Sequence, residues 1–182
     1  MKKIAILFSG TGTNFNYIAE NLHKKKLEIT VALTNNPDAK GIEIAKKYNI
    51  PLIVIPSKNL SREEFDKKVV EELKKYNFDL VVLAGFMRIL TPIFTDNLKA
   101  INLHPSLLPR HKGLNAIEKS FEDSNKDGGV SVHWVTKELD SGEIILQKTI
   151  LKENLTFNDY YNKIRTIEKD ALSEAILKVL EI

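Results

Sequence analysis

The chain has 182 residues, a net charge of +3, 43% hydrophobic and 28% charged residues, and no cysteine. That length supports a single domain, 1–182, with a sizeable core, and the absent cysteines exclude disulfides and thiolate–metal sites. No apolar run approaches the ~20 residues of a membrane-spanning helix. The scattered lysines, densest at Lys24-Lys25-Lys26, suit a solvated helix end better than a nucleic-acid stripe.

Met1-Lys2-Lys3 followed by Ile4 to Phe8 resembles the start of a signal peptide, but Ser9-Gly10-Thr11-Gly12 ends the run too early. The expectation is a cytoplasmic protein. Lys3 to Phe8 reads as a strand buried on both faces, as in a parallel sheet. Ser9 to Asn14 then turns the chain into a helix over about Phe15 to His23. Gly10 and Gly12 allow close approach of the backbone to a ligand, and a helix start favours an anion such as phosphate. A purely structural turn fits those glycines equally well. The full dinucleotide fingerprint is missing, because Phe15 occupies the third glycine position.

Leu27 to Thr34 is the second expected strand, ended by the turn residues Asn35-Asn36-Pro37-Asp38. Ile42 to Tyr48 reads as a short helix and Pro51 to Ile55 as a third strand. Ser61 with Glu64 forms a capping box for a helix through about Tyr76, with Phe65, Val69, Val70 and Leu73 on one face. Leu80 to Leu83 is a fourth buried strand, followed by the apolar loop Ala84 to Leu90 with one cation, Arg88. Thr91-Pro92 offers a capping hydroxyl and a proline at a helix start.

Ala100 to Leu103 is the fifth strand and runs into His104-Pro105-Ser106-Leu107-Leu108-Pro109. Residues two apart on a strand share a side, so Asn102 and His104 present an amide and an imidazole together. That pair suits oxyanion stabilisation and proton handling; a hydrogen-bonded strand end is the plainer explanation. Ser106 lacks the base of an activated nucleophile. Alternating strands and helices predict an open, mostly parallel Rossmann-like sheet flanked by helices, with ligands beyond the carboxyl ends of the strands. The glycine loop, the 84–90 loop and His104 all fall at such ends.

Asn115 to Ser124 reads as a helix, and Gly129 to Val135 alternates as a strand. Glu143 to Ile150 completes a hairpin. Thr156 with Asp159 caps a long final helix carrying Tyr160, Ile164, Ile167, Ala171, Ala175 and Val179 along one side. His133 reads as a packed, hydrogen-bonded strand residue behind any reacting group, and His23 and His111 as exposed. No His/Asp/Glu spacing resembles a zinc site, so no metal is expected.

Asn102 to Pro109, Gly129-Val130-Ser131-Val132-His133-Trp134-Val135 and Leu139-Asp140-Ser141-Gly142 resemble the folate-dependent formyltransferase family over nearly the whole chain. Ser9 to Asn14 and Ala84 to Leu90 narrow the resemblance to its purine-biosynthetic branch. The resemblance implies formyl transfer from 10-formyltetrahydrofolate, as co-substrate, to the amine of 5'-phosphoribosylglycinamide. It implies a catalytic trio of Asn102, His104 and Asp140, and substrate contacts at Gly12, Thr13, Asn14 and Glu168. Folate contacts fall on Arg62, Met87, Arg88, Ile89 and Leu90, with Asn102 shared. By the same resemblance 1–100 is the phosphate-binding half and 101–182 the catalytic and folate half. The partners expected are small molecules only, with the chain a monomer or homodimer. Lys137 departs from the family pattern at a peripheral position.

The implied chemistry needs donors for an oxyanion, an acceptor for the amine's proton and a proton for the leaving nitrogen. Asn102 and a protonated His104 can donate, while Asp140, through water, can hold His104 cationic and can also relay protons. Plainer roles exist for several of these residues: Asp140 as a turn residue, Arg88 as a surface cation, Glu168 as a solvated helix acid. The rival functions are a methionyl-tRNA formyltransferase, expected to carry an extra carboxyl-terminal domain, and a formyltetrahydrofolate hydrolase, expected to carry an amino-terminal regulatory one. A non-catalytic nucleotide-binding module is the third rival.

Overall fold

A computed structural model describes all residues, 1–182. The chain forms a seven-stranded open sheet, mostly parallel, with flanking helices, and divides into compact units of residues 1–101 with Ile182 and residues 102–181.

In the first unit, β1 (Lys2–Phe8) is the central strand, with Ile4 through Phe8 fully buried. Its continuous apolar run is what burial on both faces requires. It pairs in parallel with β2 (Leu27–Thr34) on one side and with β4 (Leu80–Leu83) on the other; β3 (Leu52–Val54) adds in parallel beside β2. The β1–β2 register shifts between Ile4 and Ala5. Parallel neighbours need helical crossovers, supplied by α1 (Thr13–Asn21), α2 (Ile42–Lys47) and α3 (Arg62–Leu73).

The α3 capping box is present in both directions: Glu64 N–H donates to Ser61 Oγ at 3.1 Å, and Ser61 N–H donates to the Glu64 carboxylate at 3.0 Å. Short α4 (Pro92–Thr95) has the expected proline in its first turn, but the Thr91 hydroxyl does not cap it. The hydroxyl and N–H of Thr91 both donate to Asp66 Oδ2, at 2.8 and 2.7 Å. A buried carboxylate needs donors more than an open helix end does, and so takes the hydroxyl.

Strand β5 (Ala100–His104) runs across the boundary between the units. The second unit continues with α5 (Ala116–Glu122), then β6 (Asp127–Trp134) and β7 (Ile144–Leu151), which pair antiparallel as the expected hairpin. Strand β6 is buried from Gly128 through His133, so both its faces are covered and its alternation of polar and apolar residues does not mark a solvent side. Helix α6 (Phe157–Leu180) packs on β6 and β7, and the Thr156–Asp159 capping box starts it. A Cβ on Gly128 would collide with the Tyr160 hydroxyl, so only glycine lets α6 approach so closely.

Two histidines differ from expectation. His23 is buried, its Nδ1 accepting the Ile29 N–H at 2.9 Å, and burial pushes its pKa down. His111 is part-buried, with Nε2 2.6 Å from Asp123 Oδ2. Both were polar residues in polar surroundings along the sequence; their partners lie 6 and 12 residues away.

Candidate active site

Asn102 and His104 sit at the end of β5, part-exposed and buried respectively. His104 Nε2 is 2.8 Å from the His111 carbonyl oxygen. A carbonyl only accepts, so Nε2 carries a hydrogen. Nδ1 faces Asp140, 3.4 Å from its Oδ2. The two side chains therefore stand within ion-pair distance of each other.

Asp140 comes from the β6–β7 loop and has φ 50°, in the left-handed region that aspartate tolerates better than most residues. Its Oδ2 accepts the Gly113 N–H at 2.9 Å. Burial pushes the carboxyl up; the His133 contact, the Gly113 N–H and the charges of His104 and His133 outweigh burial and hold it below the usual carboxylate value. Asp140 is thus a buried, ionised carboxylate with built-in partners.

His133 is the packed, hydrogen-bonded strand residue expected, and its ring lies beside two of the candidate site residues. Its Nδ1 lies 2.9 Å from the Trp134 carbonyl, which makes Nδ1 the donor, and its Nε2 lies 3.4 Å from Asn102 Nδ2 and 3.6 Å from Asp140 Oδ1. Bare, that nitrogen can accept from the Asn102 amide; protonated, it can donate to Asp140. One continuous polar path, Asn102–His133–Asp140–His104, therefore lies within the second unit. Ser106 is buried with its hydroxyl donated to the Arg110 carbonyl, which leaves it unfit as a nucleophile.

Gly12 is the N-cap of α1, with φ 71°, and a Cβ there would stand 2.7 Å from Ile44 Cδ1 and 2.8 Å from Gly41 Cα. Local packing alone demands this glycine. Its left-handed turn starts the helix at Thr13, two residues before the expected Phe15. Thr13 is exposed and Asn14 part-buried at this positive helix end.

The 84–90 loop is anchored within the first unit by a residue the sequence did not single out. Ser9 Oγ accepts the Met87 N–H at 2.8 Å and donates to Asn35 Oδ1 at 2.6 Å, and the Ser9 N–H donates to the Gly85 carbonyl at 2.9 Å. The signals for Ser9 were its place at the end of the first strand and in the Ser9 to Asn14 motif, and neither pointed to the 84–90 loop. Met87 and Ile89 are exposed at 71% and 49%, an open apolar surface on a loop fixed from behind. The Arg88 guanidinium lies 4.6 Å from the Phe65 ring centroid, so this cation is stacked rather than free at the surface. Arg62 is exposed in the first turn of α3. In the second unit Glu168 is only 3% exposed and lies 3.2 Å from Arg165, so it is not the solvated acid that most helix glutamates are.

No group of three or more His, Cys, Asp or Glu could hold a metal ion, and no helix is long and apolar enough to cross a membrane. Residues 2–176 match the formyl transferase family. Phosphoribosylglycinamide formyltransferase of Haemophilus influenzae is 41% identical over 155 residues, covering 82% of this chain and 73% of the relative. The Bacillus subtilis protein of the same name is 33% identical over 186 residues, covering 99% and 95%. The crystal structure of phosphoribosylglycinamide formyltransferase from Campylobacter jejuni superposes with a TM-score of 0.95 at 48% identity, covering 98% of this chain and 97% of that one. With fold and sequence shared along nearly its full length, the chain belongs to the formyl transferase family.

Proposed function

We propose that this protein transfers the formyl group of 10-formyltetrahydrofolate to the amine of 5'-phosphoribosylglycinamide, a step of de novo purine biosynthesis. The relatives' names supply the substrate. The observation that carries the chemistry is the polar path joining Asn102, His133, Asp140 and His104.

Attack of the amine on the formyl carbon develops negative charge on the formyl oxygen and positive charge on nitrogen. The Asn102 amide serves as a donor to that oxygen; removing one such donor costs about 10²–10³ in kcat. Asp140, with its lowered pKa, is better suited as a counter-ion than as the base itself. Imidazole is the side chain that gains and loses protons near neutrality. His104, held cationic by Asp140, therefore donates alongside Asn102 to that oxygen and gives a proton to the departing folate nitrogen. The amine's proton replaces it by Asp140-assisted transfer. The His111 carbonyl keeps Nε2 occupied, so Nδ1, facing Asp140, is the nitrogen that exchanges. The oxyanion pathway needs no covalent enzyme intermediate.

We assign the ribonucleotide phosphate to Gly12, Thr13 and Asn14, where a helix start favours negative charge, and a further ribonucleotide contact to Glu168. The folate is assigned to Met87 through Leu90, whose exposed apolar side chains suit a flat aromatic ring, with Arg62 as an additional contact. Spectrophotometric turnover with both substrates tests the assignment. Dependence on phosphoribosylglycinamide supports it, water as sole acceptor makes the enzyme a hydrolase, and no consumption of formyl donor makes the protein a binding module.

A further inference from the structure

His111 has φ 54°, a left-handed conformation uncommon for a residue with a Cβ. Something must hold it there, because such backbone is strained and persists only where its surroundings over-determine it. Its side chain supplies the hold: Nε2 stands 2.6 Å from Asp123 Oδ2. Asp123 is itself fixed, its Oδ1 accepting from Lys152 Nζ at 2.8 Å and from the Asn125 N–H at 2.8 Å. Lys152 Nζ also donates to the carbonyls of Ser120 and Asp123, at 2.7 and 3.1 Å, closing the end of α5. Burial pushes the Asp123 carboxyl up, but Lys152, His111 and Asn125 together hold it well below the usual carboxylate range.

The other end of His111 touches the candidate active site. Its carbonyl oxygen is the 2.8 Å partner of His104 Nε2. The left-handed turn aims that carbonyl; the side-chain anchor keeps the turn. We infer that His111, clamped by Asp123 and Lys152, is a positioning residue that sets which nitrogen of His104 bears the fixed hydrogen and which faces Asp140. This rests on the proposed roles of His104 and Asp140 in formyl transfer. Without the clamp the imidazole can rotate or change tautomer, and the 3.4 Å alignment of Nδ1 with Asp140 is no longer enforced.

Two substitutions separate the side-chain anchor from backbone strain. Asparagine adopts the left-handed region more readily than histidine or glutamine, but its amide nitrogen sits where Nδ1 does and cannot reach Asp123. Glutamine places its amide nitrogen near the position of Nε2 and can donate to Asp123. If strain alone mattered, His111→Asn would be the milder change; if the anchor matters, His111→Gln is.

The experiment uses the full chain labelled with ¹⁵N-histidine, reading the His104 ring-nitrogen shifts together with kcat and KM. Expected in the unaltered protein is one His104 nitrogen, Nε2, with the shift of a fixed protonated nitrogen, distinct from that of Nδ1. In His111→Asn the two nitrogens average between tautomers, kcat falls about tenfold or more, as misplacement of a reacting group does, and KM for the ribonucleotide stays within about two-fold. His111→Gln restores the single-tautomer pattern and most of the rate. A His104 pattern unchanged in His111→Asn overturns the inference whatever the rate does. Absence of transfer by the unaltered protein overturns the proposed function instead, while the ring-nitrogen pattern still decides the role of His111.

Discussion

His133 Nε2 lies 3.6 Å from Asp140 Oδ1, close enough that the protonation of this strand residue bears directly on the carboxylate beside His104. Its Nδ1 is committed to the Trp134 carbonyl, so Nε2 alone is free to serve Asn102 or Asp140. His133→Asn separates the two duties, since its amide nitrogen replaces Nδ1 and nothing replaces Nε2. We expect kcat to fall about a hundred-fold, the lower end of general acid–base contributions, with the circular-dichroism spectrum unchanged. Steady-state rates alongside that spectrum check it.

Ser9→Ala removes the only hydroxyl that accepts the Met87 N–H. Losing this part-buried hydrogen bond costs about 0.5–1.5 kcal/mol, and the loop that carries Met87 to Leu90 loosens. Hydrogen exchange at the Met87 amide should accelerate, and KM for the folate should rise with kcat changing less. Unchanged exchange would show that the loop is held by other contacts.

Gly10 and Gly12 are predicted to part company. A Cβ at Gly10 meets nothing within 4 Å, whereas one at Gly12 meets Gly41 and Ile44 from a φ of 71°. Gly10→Ala should change stability by no more than about 0.5 kcal/mol, and Gly12→Ala should cost about 1–3 kcal/mol from strain and overpacking. Urea denaturation of the two variants is the measurement.

Acid stability follows from the carboxylates. Asp123 and Asp140 have folded pKa values below their unfolded ones. Their contribution is complete above about pH 3.9, the unfolded value, and is lost as pH falls through the lower folded values. Asp66 runs the other way: burial raises its folded pKa, so its contribution is full below about pH 3.9 and declines as pH rises through the raised value. Thermal melts should show the melting temperature dropping below about pH 4, and Asp123→Asn should flatten that limb while lowering stability at neutral pH.

The parts of the fold that were legible in the sequence are those set by local chemistry. Ile4 to Phe8 is a continuous apolar run, and the parallel sheet followed from it; both capping boxes were readable because each partner lies three residues away. Helix α1 was read two residues late because its cap is a left-handed glycine and not a side-chain oxygen. Thr91 read as a cap because Asp66, 25 residues earlier, was not visible as its competitor.

The site divides in the same way. Asn102 and His104 were legible from strand spacing, and Asp140 only through the family resemblance, since nothing in Leu139-Asp140-Ser141-Gly142 distinguishes it from a turn. His133 is packed and hydrogen-bonded as expected, but its nearness to Asn102 and Asp140 was not legible, because β6 is covered on both faces and alternation loses its meaning. His111 acts through a backbone carbonyl, and no side-chain pattern announces that.

Asp140→Asn tests the account most directly. Asparagine tolerates the φ of 50° and can still accept the Gly113 N–H, so the change removes the charge and little else. Turnover of 10-formyltetrahydrofolate with phosphoribosylglycinamide should fall by about a hundred-fold or more, while the ribonucleotide Kd by titration calorimetry stays within about three-fold. Turnover near that of the unaltered protein, or loss of ribonucleotide binding, would contradict the role given to Asp140.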